Sequence, residues 1–492
     1  MFPNLESVQQ ACAVSQAEAR LLQAPEAPIV LLQRRTTDVA PSVAPHNPNL
    51  GIMLPYSPLH HILLDDLGIP IVATSANLSD EPICIDNKEA LHRLKGIADG
   101  FLLHNRPIVR HVDDSIVRVL LDRELVLRRA RGYAPLPISV KTDLPPILAT
   151  GAHLKNTVAL SVGKDILSSQ HIGDLETPEA YAAFVKATSD LPDLYAIEPN
   201  LVACDLHPNY LSTQFAQNLS TPRIEIQHHH AHIAACMAEN ELQAPLLGVA
   251  WDGTGYGTDG SVWGGEFFHV DANSFKRVAH LRPFRLPGGD AAIKSPHRCA
   301  MGLIYEAYGD SALSTDTPHV LKQMLAKGIQ SPWTSSAGRL FDAVAALLNL
   351  RLQASFEGQA AMELEFAADP LVTESYPITV GEIIDWQPMI EALRADDAPL
   401  SVRSAKFHNT LAEAIVQVAR MVGEPRVVLS GGCFQNKILT EQTVSRLRKA
   451  GFKPYWHQRI PPNDGGIALG QIVAATMMLP SADKMRLKAE AT

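Results

Sequence analysis

The feature that most restricts how this chain can fold is a recurring order: a strand-like run, then a glycine-containing loop, followed in two cases by a helical stretch. APLLGVAW runs into DGTGYGTDG. RVVL runs into SGGCFQN and then the helically spaced KILTEQTVSRLRKAG. KPYWHQR runs into PPNDGG and then IALGQIVAATMM. Apolar runs of four to eight residues bounded by turn residues have the length of buried strands. Strand–loop–helix order builds layered α/β folds, in which ligands sit at the carboxyl ends of strands. An α/β class is therefore expected.

The first region shows the same alternation. SVQQACAVSQAEARLLQA has helical spacing and PIVLLQRR reads as a strand, followed by the loop TTDVAPSVAPHNPNLG. HHILLDDLG reads as a short helix ending at Gly68, IPIVATSAN as a buried strand running into a turn, and KEALHRLKGIADGFLLH as helix then strand. SIVRVLLDRELVLRRARGYAP reads as two strands joined at Asp122-Arg123-Glu124. This predicts one α/β module over residues 1–138, a short proline-ended linker at 139–146, and a second module over 147–492. The second module opens on a hairpin, ILATGAHLKNTVALSVGKDILSSQ, and turns mostly helical from Ser311 to Leu352.

Composition narrows the class of function. At 492 residues and 46% hydrophobic, the chain has enough apolar surface for two or more cores. A net charge of -10 argues against a general nucleic-acid coat, whose phosphate-facing surface is basic. The six cysteines form no Cys-x-x-Cys pair, so no zinc knuckle or redox pair is expected. MFPNLESVQQ has no cationic segment ahead of an apolar one, and GGIALGQIVAATMML is too short to span a bilayer and is broken by Gln471. These features predict a cytoplasmic protein without membrane contact.

The densest chemical signal is Gln227-His228-His229-His230-Ala231-His232, four imidazoles in five positions of a chain with 19 histidines. On a helix His228 and His232 share one face with Cβ atoms about 6 Å apart, the spacing at which two imidazoles grip one divalent metal. The bland alternative is a surface run, or a His229/His232 pair that only packs. Further ligands would come from strand ends, and Asp252 and Asp464 stand there; for Asp464 a helix cap is an equally good reading. Two imidazoles and two carboxylates suit iron, manganese, zinc or magnesium.

Gly253, Gly255 and Gly257 would let backbone N–H groups approach phosphate oxygens, and Gly431-Gly432 opens a helix whose N-terminus favours anions. Lys155 is the one cation of the turn 151–156 and could neutralise charge on a transferred group, although a solvated hairpin lysine is the commoner fate. Thr74-Ser75-Ala76-Asn77 offers hydroxyl and amide groups at a strand end. Downstream, Arg106, Arg110, His111, Ser115, Arg128, Arg129 and Arg131 form either an anion site or a solvated basic edge. No Gly-x-Ser-x-Gly elbow or Walker loop occurs, and the cysteines lack a nucleophile context.

Taken together, HHHAHIAACMAEN, VACDLHPNYLST, VAWDGTGYG, TSSAGRLFDAVAALL, SFEGQAAMELE, LSGGCFQN and PPNDGGIALGQ resemble the HypF carbamoyltransferase family of hydrogenase maturation, from about Phe2 to about residue 475. The resemblance implies a two-lobed, actin-like (ASKHA) ATPase-type module. That module is related to tRNA threonylcarbamoyl- and antibiotic O-carbamoyltransferases. It also implies a YrdC-like module ahead, to which ATSAN, RHVDDSIV and LRRARGYAP correspond. His228, His232 and Asp464 fall on the family's metal ligands, with Asp252 a further one; iron or zinc is implied there, and magnesium with nucleotide. Gly338, Asp342, Gly432 and Asn436 fall on its nucleotide loops, beside Gly253, Gly255 and Gly431. Ser75, Asn77, Arg110, Ser115 and Arg128 fall near the YrdC-like nucleotide pocket. Catalytic roles are expected for Lys155, Asp252 and Arg298. In IKSPHRCA Arg298 keeps the family's arginine, whereas Ser295 and His297 depart from its Glu-Pro-Trp-Arg.

The implied chemistry uses carbamoyl phosphate and ATP. Carbamoyl-adenylate forms at the YrdC-like module, and the actin-like module passes the carbamoyl group to the C-terminal cysteine thiol of the partner protein HypE, for cyanide ligand synthesis. The family's acylphosphatase domain, cysteine-rich segment and Lys-x-Arg motif have no counterpart here, so the chain is expected to begin inside the YrdC-like module. Two alternatives stand: O-carbamoylation of a small hydroxylated compound, or a non-catalytic chain that binds nucleotide or partner. A tRNA substrate is disfavoured by the acidic charge.

Overall fold

A computed structural model describes residues 1–35 and 39–480, so Thr36, Thr37 and Asp38 of the expected first loop lie outside the described residues. The chain forms two compact units, one of Met1–Ile226 with the segment from His457 onward, the other of Gln227–Trp456. Ser139, the first residue of the expected linker 139–146, pairs with Asp165 at a sheet edge.

Within the first unit, β1 (Ile29–Gln33), β2 (Asn49–Ile52), β3 (Ile116–Leu120) and β4 (Arg123–Arg128) form a sheet of order β2-β1-β3-β4. β1 and β3 run parallel and the outer pairs antiparallel. The β3–β4 turn uses Leu121 and Asp122, both at positive φ (51° and 58°), one residue earlier than the charge pattern suggested. That is the twist a two-residue hairpin turn needs. The opening helical stretch splits into Leu5–Ala11 and Gln16–Leu22, because Ser15 and Glu18 close a reciprocal capping box that starts a new helix. Val8, Cys12, Leu22, Val30, Leu32, Val117 and Val126 make the core beneath.

Two expected strands are absent. IPIVATSAN and FLLH form no strand, and Val72 and Leu102 stand 74% and 80% exposed. Met1 and Ile71 exchange two backbone hydrogen bonds (2.7 and 3.0 Å), and no ladder follows among the described residues. An apolar run supplies the side chains of a strand; only a neighbouring edge supplies its hydrogen bonds.

The second sheet of this unit joins β5 (Ile138–Ser139), β6 (Ile147–Ala149), β7 (Ala159–Val162), β8 (Asp165–Ser168), β9 (Leu201–Asp205) and β10 (Arg223–Ile226) in the order β10-β9-β6-β7-β8-β5. The expected hairpin resolves into three strands, β6 to β8, with the glycine turn bulging between the first two. The helices Pro178–Tyr195 and Ile467–Met478 cover it. Gln471, the polar residue that interrupts the last apolar run, is fully buried. Its Oε1 accepts from the Gly151 N–H (2.9 Å) and its Nε2 donates to the Gly151 carbonyl (3.1 Å). The Ser212 hydroxyl also reaches that carbonyl, at 3.3 Å. Gln471→Leu would leave the buried N–H unanswered, and a loss of about 1–3 kcal/mol is expected. Urea titration of the whole chain measures it, and an unchanged midpoint would mean water replaces the amide.

The second unit is built on β11 (Leu246–Tyr256), β12 (Val262–Val270), β13 (Phe275–Leu281), β14 (Phe284–Arg285), β15 (Trp333–Thr334), β16 (Ile383–Ile384), β17 (Arg426–Ser430) and β18 (Lys453–Tyr455). The main path runs β14-β15-β12-β11-β17-β18, with β13 on β12 and β16 on β13. β11 and β17 are parallel with Ala250 opposite Ser430. Trp251-Asp252 and Gly431-Gly432, which follow the last paired residues, therefore emerge side by side. The fully buried Trp251 packs on Phe267 and Phe434 beneath them. Helices His319–Lys327 and Ala337–Leu347 bear out the helical reading of 311–352. No helix among the described residues is long and apolar enough to cross a membrane.

Candidate metal and nucleotide centre

The histidine run is the first turn of a helix, His228–Glu239. Its N-cap is Gln227, whose Oε1 accepts from the N–H groups of His229 (2.7 Å) and His230 (3.1 Å) while its Nε2 donates to the Tyr256 carbonyl (3.0 Å). Gln227 thus ties the start of the helix to the end of β11. It is a positioning residue that sequence reading passed over, because glutamine is an uncommon cap.

The four imidazoles separate into different roles. His228 and His232, both buried, stack edge to face with ring centroids 4.9 Å apart. Their Nε2 atoms lie 3.4 Å and 2.9 Å from Asp252 Oδ2. His230 instead packs on Phe275 and Phe268, and burial lowers it to about 4. Burial, then the neighbouring His228 and His232, also lower His229. Its ring fills the space a side chain at Gly255 would need, 2.4 Å from an ideal Cβ there. His229 and His230 thus pack against their neighbours, whereas His228 and His232 face the Asp252 carboxylate.

Burial would raise the Asp252 carboxyl, but hydrogen bonds and charge from His228 and His232 outweigh it and hold the group well below the usual carboxylate range. Oδ1 accepts from the backbone N–H groups of Gly253 (2.8 Å) and Gly432 (3.1 Å). These two N–H groups turn Oδ2 toward the imidazoles. The donor set of two imidazole nitrogens and an ionised carboxylate oxygen, buried and convergent, fits a divalent cation.

A second helix, Ala337–Leu347, lies against the same loop. Ser336 caps it by accepting from the Arg339 N–H (3.1 Å), and its Oγ lies 2.7 Å and 2.8 Å from the carbonyls of Asp252 and Gly253. At Gly338 an ideal Cβ would stand 2.8 Å from Gly253 Cα, so the approach needs glycine. One turn on, Arg339 and Asp342 form a buried pair, Nη2 to Oδ2 at 3.1 Å. Arg339 and Ser336 are the contributions that sequence motifs left unassigned. Cys433, next to Gly432, is held protonated by desolvation and by the Asp252 charge, which together push its thiol up. It offers no thiolate.

Burial raises the Asp342 carboxyl to about 6, against the opposing pull of Arg339 and with Glu357 adding to the rise. The unfolded group titrates near 3.8, so the native state holds the extra proton between these values. The stability this proton confers is complete below the unfolded value and lost as pH rises through about 6. Asp342→Asn is therefore expected to flatten the decline of unfolding free energy across that window by roughly 3 kcal/mol. Urea titrations at stepped pH read this directly, and an unaltered slope would place the carboxyl at its ordinary value.

The other expected residues fall as follows. Asn436 caps the helix Lys437–Lys449 by accepting from the Leu439 N–H (2.9 Å), and its amide nitrogen lies 2.9 Å from His408 Nε2. Arg298 Nη1 donates to the Pro287 carbonyl at 3.4 Å. In the first unit, Lys155 sits at φ 46° with its N–H on Asp174 Oδ1 (2.7 Å). Asp464 begins a single 3-10 turn whose cap is Asn463, so the capping alternative passes to its neighbour. Ser75 is exposed and Asn77 half-buried on the unladdered segment, not at the end of a buried strand. Ser115 is buried, donating to the Arg131 carbonyl (2.9 Å) and accepting from the Ala130 N–H (2.8 Å). Arg110 lies 3.7 Å from Asp190, and Arg128 ends β4. Arg131 is spent on Asp114, two backbone carbonyls and the face of Tyr56. Arg110 and Arg131 of the expected basic cluster are thus engaged by separate partners.

Three protein families match the chain. One described as "Carbamoyltransferase, Kae1-like Domain, second subdomain" matches residues 248–471, and one described as "HypF Kae1-like domain" matches 142–239. One described as "Telomere recombination", of the Sua5–YciO–YrdC type, matches 1–130. A carbamoyltransferase HypF of Synechocystis sp. is 44% identical over 507 aligned residues, covering 96% of this chain and 66% of that protein. The chain thus spans just under two thirds of that relative's length. Among solved structures, full-length HypF in a phosphate- and nucleotide-bound form is similar with TM-score 0.94 at 43% identity, over 98% of this chain and 79% of that one. HypF of T. kodakarensis gives TM-score 0.90 at 32% identity, over 99% and 69%.

Proposed function

The chain belongs to the HypF carbamoyltransferase family, with a YrdC-like part ahead of Kae1-like, actin-like ATPase-type parts, and from that premise we propose that it transfers a carbamoyl group from carbamoyl-adenylate to the C-terminal cysteine thiol of a HypE-type acceptor, in the cytoplasm. Carbamoyl phosphate and ATP are the proposed sources of the adenylate, and cyanide ligand synthesis for nickel–iron hydrogenase the destination. The observation that carries this reading is the convergence of His228, His232 and Asp252 at the ends of two glycine loops.

In this reading His228, His232 and Asp252 hold a divalent metal, iron or zinc, and Asp464 is its fourth ligand on the strength of the resemblance. Bound there, the metal would supply Lewis-acid polarisation of the adenylate's oxygens. The chain's own residues do the rest. The N–H groups of Gly253 and Gly432 hold the carboxylate's orientation, and the loops at Gly338, Asp342, Gly431 and Asn436 seat the nucleotide with its reacting carbon exposed to an incoming thiol. Cys433 stays protonated and does not compete with that thiol. Arg298 and Lys155 are proposed to neutralise charge on the leaving phosphate. Ser75, Asn77, Arg110, Ser115 and Arg128 are proposed to hold the nucleotide at the YrdC-like part.

The test is mass spectrometry of the acceptor after incubation with the chain and carbamoyl-adenylate. One carbamoyl addition, confined to the terminal cysteine, is expected. Nucleotide binding with no addition would replace this reading with a non-catalytic one, and addition to a free hydroxyl compound without acceptor would favour O-carbamoylation.

A further inference from the structure

We propose that Arg339 grips the phosphoryl oxygens of the ligand held beside Asp252. The identity of that ligand as a nucleotide-linked carbamoyl group rests on the reading above; the existence of an acceptor for Arg339 does not.

The side chain is 3% exposed, and its Nη2 is engaged by Asp342. Nε and Nη1 are buried and have no hydrogen-bond acceptor. A guanidinium carries five N–H donors and cannot shed its charge. Each donor buried without an acceptor costs about 1–3 kcal/mol, so native proteins rarely leave them unanswered unless an ion, water or ligand supplies the oxygen.

The direction in which these donors can be answered is marked by the neighbours. An ideal Cβ at Gly253 would stand 3.5 Å from Arg339 Nη2 and 3.8 Å from Glu357 Oε1. The guanidinium therefore lies beside the Gly253 backbone, one residue after the carboxylate that faces His228 and His232. Asp342, one turn along the same helix, pairs with Nη2, and the Glu357 carboxylate adds its charge nearby. What Nε and Nη1 lack is an acceptor, and the acceptor-only, anionic oxygens of a phosphoryl group meet that need. A lysine there would keep the charge but not two donors in a fixed plane.

Calorimetric titration of the whole chain with AMP, adenosine and inorganic phosphate tests the assignment. Wild type should bind AMP more tightly than adenosine. Arg339→Lys should weaken AMP by about 10- to 100-fold and change adenosine by less than about twofold. Should Arg339→Lys fail to fold, the paired change Arg339→Met with Asp342→Leu removes both charges together and should erase the same AMP preference. Equal losses for AMP and adenosine, or no AMP preference in wild type, overturns the proposal. Wild-type AMP preference with no carbamoyl transfer sinks the functional reading and leaves Arg339 standing. Transfer with unchanged AMP affinity in Arg339→Lys sinks Arg339 alone.

Discussion

Asp252→Asn is expected to leave the fold intact and abolish the metal centre. The amide is the same size as the carboxylate, and its oxygen can still accept from the N–H groups of Gly253 and Gly432, which now hold Oδ1. Its nitrogen would face the Nε2 atoms of His228 and His232, where Oδ2 lies 3.4 Å and 2.9 Å away. An NH2 group donates into those lone pairs and cannot ligate a cation, so three convergent donors become two blocked ones. Metal content by mass spectrometry should fall from about one equivalent to background, and transfer to the acceptor thiol by at least about 100-fold. Thermal stability without metal should change by less than about 1 kcal/mol. Full metal content in the variant would show that Asp252 is not a ligand, and no metal in wild type would show that the histidines and carboxylate are a hydrogen-bonded packing triad.

Gly431→Ala should fail for a reason unrelated to ligands. Gly431 has φ 102°, and an ideal Cβ would lie 2.2 Å from the carbonyl oxygen of Trp251, on the neighbouring strand. Relief would require β11 and β17 to separate at the register that brings Asp252 to Gly432. The combined backbone strain and clash should cost about 3 kcal/mol or more. Gly423→Ala supplies the comparison: φ is 80° there too, but nothing lies within 4 Å of the added carbon. It should cost only about 1 kcal/mol. Urea midpoints of the two variants separate clash from conformational strain, and equal shifts would mean the strands yield.

These expectations show which parts of the molecule could be read before folding. The spacing of His228 and His232 stated that they share a face, because helical geometry is local and repeats every 3.6 residues. The strand–glycine–helix order likewise announced β17 and the helix Lys437–Lys449 after it, whereas the glycine stretch after Asp252 continues β11 to Tyr256 and leads to β12. Reading failed where a local pattern needs a distant partner. IPIVATSAN carries the side chains of a buried strand, yet Val72 is exposed because no edge pairs with it among the described residues. Gln471 looked like a flaw in an apolar run and is a two-bond clamp on Gly151. Arg339 gave no signal at all, since only burial and the missing acceptors at Nε and Nη1 mark it out.

What the sequence by itself determined was the inventory: an α/β chain, two imidazoles at metal-gripping spacing, and glycine loops able to approach phosphate. What only the tertiary structure decided was which of these meet. Asp252 and Gly432 are 180 residues apart, and they touch because β11 and β17 pair in parallel with Ala250 opposite Ser430. That register is a property of the whole sheet, set by burial of Trp251 and its neighbours and by hydrogen bonds along both strands. No local pattern encodes it, because the free energy that selects it is spread over contacts the two segments make only once folded.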